Sequence, residues 1–254
     1  MLLALDVGNT QTVVGMYDGE TLREHWRTTT VRTHTGDELA LMLAGLLELR
    51  SHTLASIDAM VVASSVPQLA VEYATMSREH LGDEALLVGP GVRTGVALRV
   101  DNPLEVGPDR VANCVAAYAL HGGPCIVVDF GTAINFDTVS ATGDFVGGAI
   151  APGLQVALDA LGDRAARLQK VELVAPAHAI GTNTDTNVQS GAVFGWAGLV
   201  DGLVRRFRDE LGAEATTIAT GGLAALVAPH CETIEHVEPW LTLEGLRMIW
   251  ERNA

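Results

Sequence analysis

The chain contains a single lysine, Lys170, so its positive charge rests almost wholly on arginine, and 16 basic residues against 31 acidic ones give a formal net charge of -15. That scarcity excludes two classes of function. Nonspecific nucleic-acid binding works by neutralising phosphates with lysine and arginine, and a strongly acidic chain opposes it. A P-loop nucleotide site needs a glycine-rich turn ending in Gly-Lys-Ser or Gly-Lys-Thr, whereas Lys170 follows Gln169. An anionic substrate therefore requires a local positive site. Cysteine is scarce too: Cys114, Cys125 and Cys231 are scattered, odd in number and without CxxC spacing, which points to reduced thiols and away from structural zinc. The eight histidines show neither HxxxH nor HExxH spacing, so a zinc hydrolase has no ligands. Trp26, Trp196, Trp240 and Trp250 are too dispersed to form a base-stacking platform. No stretch approaches the roughly 20 uninterrupted apolar residues of a membrane span. The apolar start of the chain meets Asp6 at once, too short for a signal peptide and suited to a buried first strand. The expectation is a cytoplasmic protein without nucleic-acid or membrane partners.

What is present is an α/β pattern that occurs twice. Residues 2–5, 12–17 and 22–27 read as an antiparallel meander with a turn at Asp18-Gly19. Thr35-Gly36-Asp37 offers a cap for a helix over 39–49, whose leucines and alanines fall at helical spacing. A strand over 57–63, a helix to about residue 80 and a short strand over 85–88 follow. After a helix over 107–120 the opening plan recurs: strand 125–128, the turn Asp129-Phe130-Gly131-Thr132, strand 135–139, a turn at Thr142-Gly143 and strand 145–150. Helices over 152–168 and 184–211, a strand over 216–219, a strand near 233–236 and a helix over 241–252 complete the chain. The recurrence of Asp6-Val7-Gly8-Asn9-Thr10 as Asp129-Phe130-Gly131-Thr132, near mid-chain, indicates an internal duplication. Two lobes, 1–120 and 121–254, are expected to pack around a cleft.

A tight turn between buried strands exposes backbone N–H groups that the ladder leaves unsatisfied, and glycine lets a phosphate approach without a Cβ in the way. Threonine and asparagine add donors, and an aspartate at the strand end holds a metal ion directly or through water. One Asp-x-Gly turn is ordinarily just a capped hairpin; two in equivalent positions point to nucleotide binding. Thr220-Gly221-Gly222 follows another strand, reading equally as a backbone surface for adenine or ribose and as a left-handed turn. Between the repeats, Asn102-Pro103 leads to Gly107-Pro108-Asp109-Arg110, with a proline at a first helical position and an acid in the first turn. Asp109 reads either as a residue favoured by the helix dipole or as the acceptor of a substrate hydroxyl proton. The helix N-terminus is expected to lower its pKa, which a loose phosphoryl-transfer transition state tolerates. Arg110 suits a carboxylate or a phosphate.

The ordered set of these motifs resembles the type III pantothenate kinases of the actin, sugar kinase and Hsp70 ATPase superfamily. Gly147-Gly148-Ala149-Ile150-Ala151-Pro152-Gly153, Gly181-Thr182-Asn183-Thr184 with Ser190-Gly191, and Leu241-Thr242-Leu243-Glu244-Gly245-Leu246 extend the resemblance nearly end to end. It implies two ribonuclease-H-like lobes of mixed sheets with flanking helices, a homodimer, and ATP-dependent phosphorylation of pantothenate to 4'-phosphopantothenate, the first step of coenzyme A biosynthesis. It further implies magnesium and a monovalent cation, potassium or ammonium. By resemblance, Asp6, Val7, Gly8, Asn9, Thr10, Gln11, Thr12 and Val13 hold ATP phosphates, with Asp6 on magnesium. Thr132 contacts ATP and Asp129 binds the monovalent cation. Gly107, Pro108, Asp109, Arg110 and Thr184 contact pantothenate, with Asp109 as proton acceptor. Val100 stands where the family usually has tyrosine, keeping an apolar wall for the pantoyl methyls but losing a hydroxyl; Ile134 replaces a small hydroxyl residue. A kinase or phosphohydrolase acting on another substrate, such as a sugar or polyphosphate, and a noncatalytic regulator are the competing readings. The intact Asp6, Asp109, Arg110 and Asp129 oppose the regulator.

Overall fold

The computed structural model describes residues 1–164 and 171–254. The stretch expected to be helical over 165–168 lies outside the described residues. Two five-stranded mixed sheets, each with flanking helices, account for the strands among the described residues.

In the first sheet β1 (Leu2–Val7) is central, antiparallel to β2 (Gln11–Asp18) and parallel to β4 (Ala59–Ser64), with β3 (Thr21–Thr29) and β5 (Leu86–Leu87) at the edges. In the second, β6 (Cys125–Phe130) takes the central place, antiparallel to β7 (Ala133–Val139) and parallel to β9 (Thr216–Thr220). Its edges are β8 (Phe145–Pro152) and β10 (His236–Val237). Read from the hairpin edge, the orders are β3-β2-β1-β4-β5 and β8-β7-β6-β9-β10. One topology thus occurs twice, as the repeated turn predicts.

The first core packs Leu3, Leu5 and Val7 of β1 against Leu39, Leu43 and Leu47 of α1 (Gly36–Glu48) and Leu69, Tyr73 and Met76 of α2 (Pro67–Met76). Thr35 caps α1 in a reciprocal box with Glu38, which satisfies donors the helix leaves open. The helix expected to reach residue 80 loses its α geometry after Met76, passing into a π turn over Ser77–Leu81 that ends at left-handed Gly82. In the second core Ile126, Val128 and Phe130 of β6 meet Leu154 of α4 (Leu154–Arg164) and Val200 and Val204 of the long α5 (Thr184–Leu211). The short α6 (Ala224–Val227) follows β9.

Two sequence expectations are corrected by packing. The lobes were expected to divide at 120/121, yet the first compact unit comprises 1–97, 101–116 and 241–254, and the second 98–100 and 117–240. The terminal helix α7 (Leu241–Glu251) returns to the first sheet because it buries Leu243, Leu246 and Ile249, with contacts to β1, β2 and β4. Residues 98–100 go the other way, Leu98 bridging Phe145 and Arg99 N–H donating to the Phe145 carbonyl at 2.8 Å. The strand expected near 233–236 is a two-residue edge, His236–Val237. The Thr233 N–H and hydroxyl are instead taken by the buried Asp201 carboxylate of α5, at 2.9 and 2.7 Å, and the Glu232 N–H donates to it as well. Asp201→Ala strands these donors in a buried loop, and a loss of about 2 to 3 kcal/mol is expected, read as a lower urea midpoint; Asp201→Asn is expected to retain part of it.

Candidate functional site

In the first turn, Gly8 N–H donates to the Gln11 carbonyl at 3.0 Å, closing the hairpin after half-buried Asp6. A Cβ on Gly8 would lie 3.0 Å from that same carbonyl, so the tightness of the turn depends on glycine. Val7 and Thr12 are buried, and the Thr12 hydroxyl is engaged with that of Thr30 at 2.9 Å. Asn9, Thr10 and Gln11 are exposed. Side-chain donors toward a ligand therefore come from the tip, and Val7 and Thr12 offer backbone only. A neighbour that sequence reading passed over joins them: Arg32 Nη2 donates to Asn9 Oδ1 at 2.9 Å. Nothing in its local sequence separates Arg32 from an ordinary surface arginine.

The second turn is one residue shorter, since Asp129 pairs with Asn135 whereas Asp6 pairs with Val13. Here Gly131 N–H donates to the Ala133 carbonyl at 3.0 Å. Two further motifs converge on it. A Cβ on Gly221, whose φ is +91°, would fall 2.4 Å from Asp129 Oδ1, and one on Gly153 would fall 2.1 Å from the Thr132 carbonyl. Gly221 thus gives way to the Asp129 carboxylate, an assignment its sequence left open. The two aspartates also have different flanks. Asp6 lies between Val13 and Ala63 in register, while Asp129 lies between Asn135 and Thr220. The second site is surrounded by oxygen-bearing side chains that a hard cation prefers, the first by apolar ones. Thr132 is exposed at the second tip.

The helix α3 (Pro108–His121) begins as predicted with proline at its first position. Asp109 folds back over Gly107, where a Cβ would come within 2.4 Å of Asp109 Oδ1. The carboxylate accepts hydrogen bonds from the N–H groups of Arg110 and of Asp109 itself. The pKa expectation is reversed: burial raises the Asp109 carboxyl above the ordinary range, outweighing those N–H bonds and the Arg110 charge. A second contact fixes α3 against α7, since Gly245 lies flush on the Ala112 backbone and the Thr242 hydroxyl donates to Asn113 Oδ1 at 2.8 Å. Through Leu243, whose Cδ1 would sit 2.8 Å from a Cβ on Gly15, the same helix α7 is seated on β2. One element thereby holds the Asp109 helix and the Asp6 hairpin of the first unit.

The remaining expected residues fall in the second unit. Half-buried Val100 follows the Leu98 bridge to Phe145. Thr184 opens α5 behind the Asn183 cap and borders a cavity of about 500 Å³ between α4 and α5, lined mainly by apolar groups such as Leu158, Val188 and Trp196. Among the described residues, the one trio of potential metal ligands within mutual reach is Asp37, Glu79 and His80, all exposed, and none of these was a site candidate. Burial pushes the Cys125 and Cys231 thiols up to about 12. Since the thiolate is the reactive form, neither is expected to react with a disulfide reagent at pH 8 until denaturant is added.

The family model for type III pantothenate kinase matches residues 2–206. A protein named type III pantothenate kinase from Thermobifida fusca is 50% identical, with 100% of each chain covered. Among solved structures, a Campylobacter jejuni protein described as a conserved Baf family transcriptional activator aligns with a TM-score of 0.60 at 20% identity, covering 99% of this chain and 98% of that one. The inorganic polyphosphate/ATP-glucomannokinase of Arthrobacter sp. strain KM aligns with a TM-score of 0.52 at 15% identity, covering 99% and 98%. The two structural likenesses show the fold.

Proposed function

The chain belongs to the type III pantothenate kinase family and phosphorylates pantothenate with ATP at the first step of coenzyme A biosynthesis, and from that premise we propose how its residues divide the work. Asp109 accepts the proton of the pantothenate hydroxyl as the phosphoryl group arrives. The observation that carries this assignment is its half-buried carboxylate, held over Gly107 by helix N–H groups with its pKa raised, because a base is most effective when its pKa approaches the working pH. Arg110 pairs with the pantothenate carboxylate and overcomes the repulsion of an acidic chain. Gly107 and Pro108 bring backbone to the same substrate, with Val100 and Thr184 as further contacts.

The turn from Asp6 to Val13 holds the ATP phosphates through its N–H groups and the exposed Asn9, Thr10 and Gln11. Asp6 is the magnesium ligand, directly or through water. Magnesium held there would offset the negative charge that develops on the transferring phosphoryl group. Asp129 holds potassium or ammonium, a role supported by its flanking Asn135 and Thr220 and by the absence of a side chain at Gly221. Thr132 contacts ATP from the second turn. The chain acts as a homodimer, an assembly supported by the exposed apolar Val156 and Leu161 of α4; sedimentation at micromolar concentration is expected to give twice the 26.7 kDa chain mass. Among the described residues, no helix is long and apolar enough to cross a membrane.

Coupled measurement of ADP release tests the reading. Release is expected with pantothenate and not with a panel of sugars, and is expected to collapse when sodium replaces potassium. Equal release with a sugar refutes the substrate assignment, and equal rates in sodium refute the cation assignment alone.

A further inference from the structure

The lack of a P-loop lysine leaves open which side chain brings positive charge to ATP, and the segment between β3 and α1 contains a candidate fixed at both ends. Thr30 N–H donates to the Thr10 carbonyl at 2.9 Å and the Thr30 hydroxyl meets that of Thr12, tying the segment to the first turn. His34 N–H donates to the Val31 carbonyl at 3.2 Å, and Thr35 caps α1. Arg32 stands in this short turn, exposed, with Nη2 on Asn9 Oδ1 at 2.9 Å. Arg23, Arg50 and Arg99 are each paired with a carboxylate, whereas the partner of Arg32 is a neutral amide at the tip of the turn. A guanidinium has five N–H donors in a rigid fork suited to phosphate oxygens, so this one bond positions the group without exhausting it.

We infer that Arg32 grips the terminal phosphates of ATP, held against Asn9 so that the fork meets the nucleotide at the first turn. The inference rests on the assignment of that turn to ATP phosphates. It supplies the local positive site that the net charge of -15 demands.

The test measures affinity for a nonhydrolysable ATP analogue by calorimetry without pantothenate, together with steady-state kinetics, on Arg32→Gln, Arg32→Lys, Asn9→Ala and the double variant Asn9→Ala/Arg32→Gln. Arg32→Gln is expected to lower kcat/KM for ATP by about 100-fold, the scale for losing one charge-stabilising donor, and to weaken the analogue by at least tenfold. Arg32→Lys recovers part of the loss, KM for pantothenate stays within twofold, and the melting temperature is unchanged. Arg23→Gln, altering the ion pair with Asp18 at the other end of the hairpin, leaves activity intact. Wild-type analogue affinity and kcat in Arg32→Gln overturn the inference. So does an Arg32→Lys variant that binds the analogue as weakly as Arg32→Gln, because positive charge on the phosphates would then not be what Arg32 supplies. Failure of the wild type to bind the analogue at all refutes the assignment of the turn itself.

Discussion

Asp109→Asn is expected to lower kcat by about 100- to 10,000-fold, the span general-base catalysis supplies, while KM for both substrates changes little. Asparagine keeps the size of the side chain and its place over Gly107 but cannot take a proton. The wild-type enzyme should also lose activity as pH falls, with its acid limb above the ordinary aspartate range, because burial raises the Asp109 pKa. That limb should vanish from the residual activity of Asp109→Asn. The stability change has the opposite sign. A carboxyl whose folded pKa is raised binds more protons in the native state than in the unfolded one, so its contribution is present in full below the unfolded pKa and declines as pH rises through the folded one. A neutral asparagine has no such decline. Asp109→Asn should therefore melt at or above the wild-type temperature at pH 7, with the difference shrinking toward acid. An unchanged rate in the variant would remove Asp109 from the chemistry, and a lower melting temperature at pH 7 would contradict the effect of its burial.

Gly245→Ala is expected to be the most damaging single methyl group in the first unit. Alanine is the better helix former by about 1 kcal/mol, so intrinsic propensity predicts a gain. Packing reverses the sign: the added Cβ would lie 1.9 Å from the Ala112 carbonyl oxygen and 2.5 Å from its carbon. Both are backbone atoms and cannot rotate away. Overpacking of this kind costs about 1 to 3 kcal/mol and sometimes more, so α7 and α3 must separate. The expected net loss of about 2 kcal/mol corresponds to roughly 4 to 8 °C in melting temperature for a chain of this length. Because α3 begins at the Asp109 turn, kcat/KM should fall with it, by at least tenfold. A wild-type melting temperature would show that the two helices do not meet at this glycine.

Much of the fold was legible because its signals are local. Alternating apolar strands, the Thr35 cap and Pro108 at the start of α3 each act within a few residues of themselves. Asp129 and Thr220 had already stood out as motifs, but only parallel pairing of β6 with β9 makes them neighbours. Arg32 was invisible for the same reason: its partner Asn9 is 23 residues away, across a hairpin and a turn.

By itself the sequence determined the repeated Asp-x-Gly turn, the family resemblance and the exclusion of a P-loop, since these depend on residue identity and short-range spacing. Tertiary structure alone decided that α7 returns to the first unit, that Arg32 stands at the first turn, and that Gly221 clears space for Asp129. It also set the direction of the Asp109 pKa. The helix N-terminus that lowers this value is written in the local sequence. The desolvation that raises it comes from groups assembled by folding, and at Asp109 it prevails.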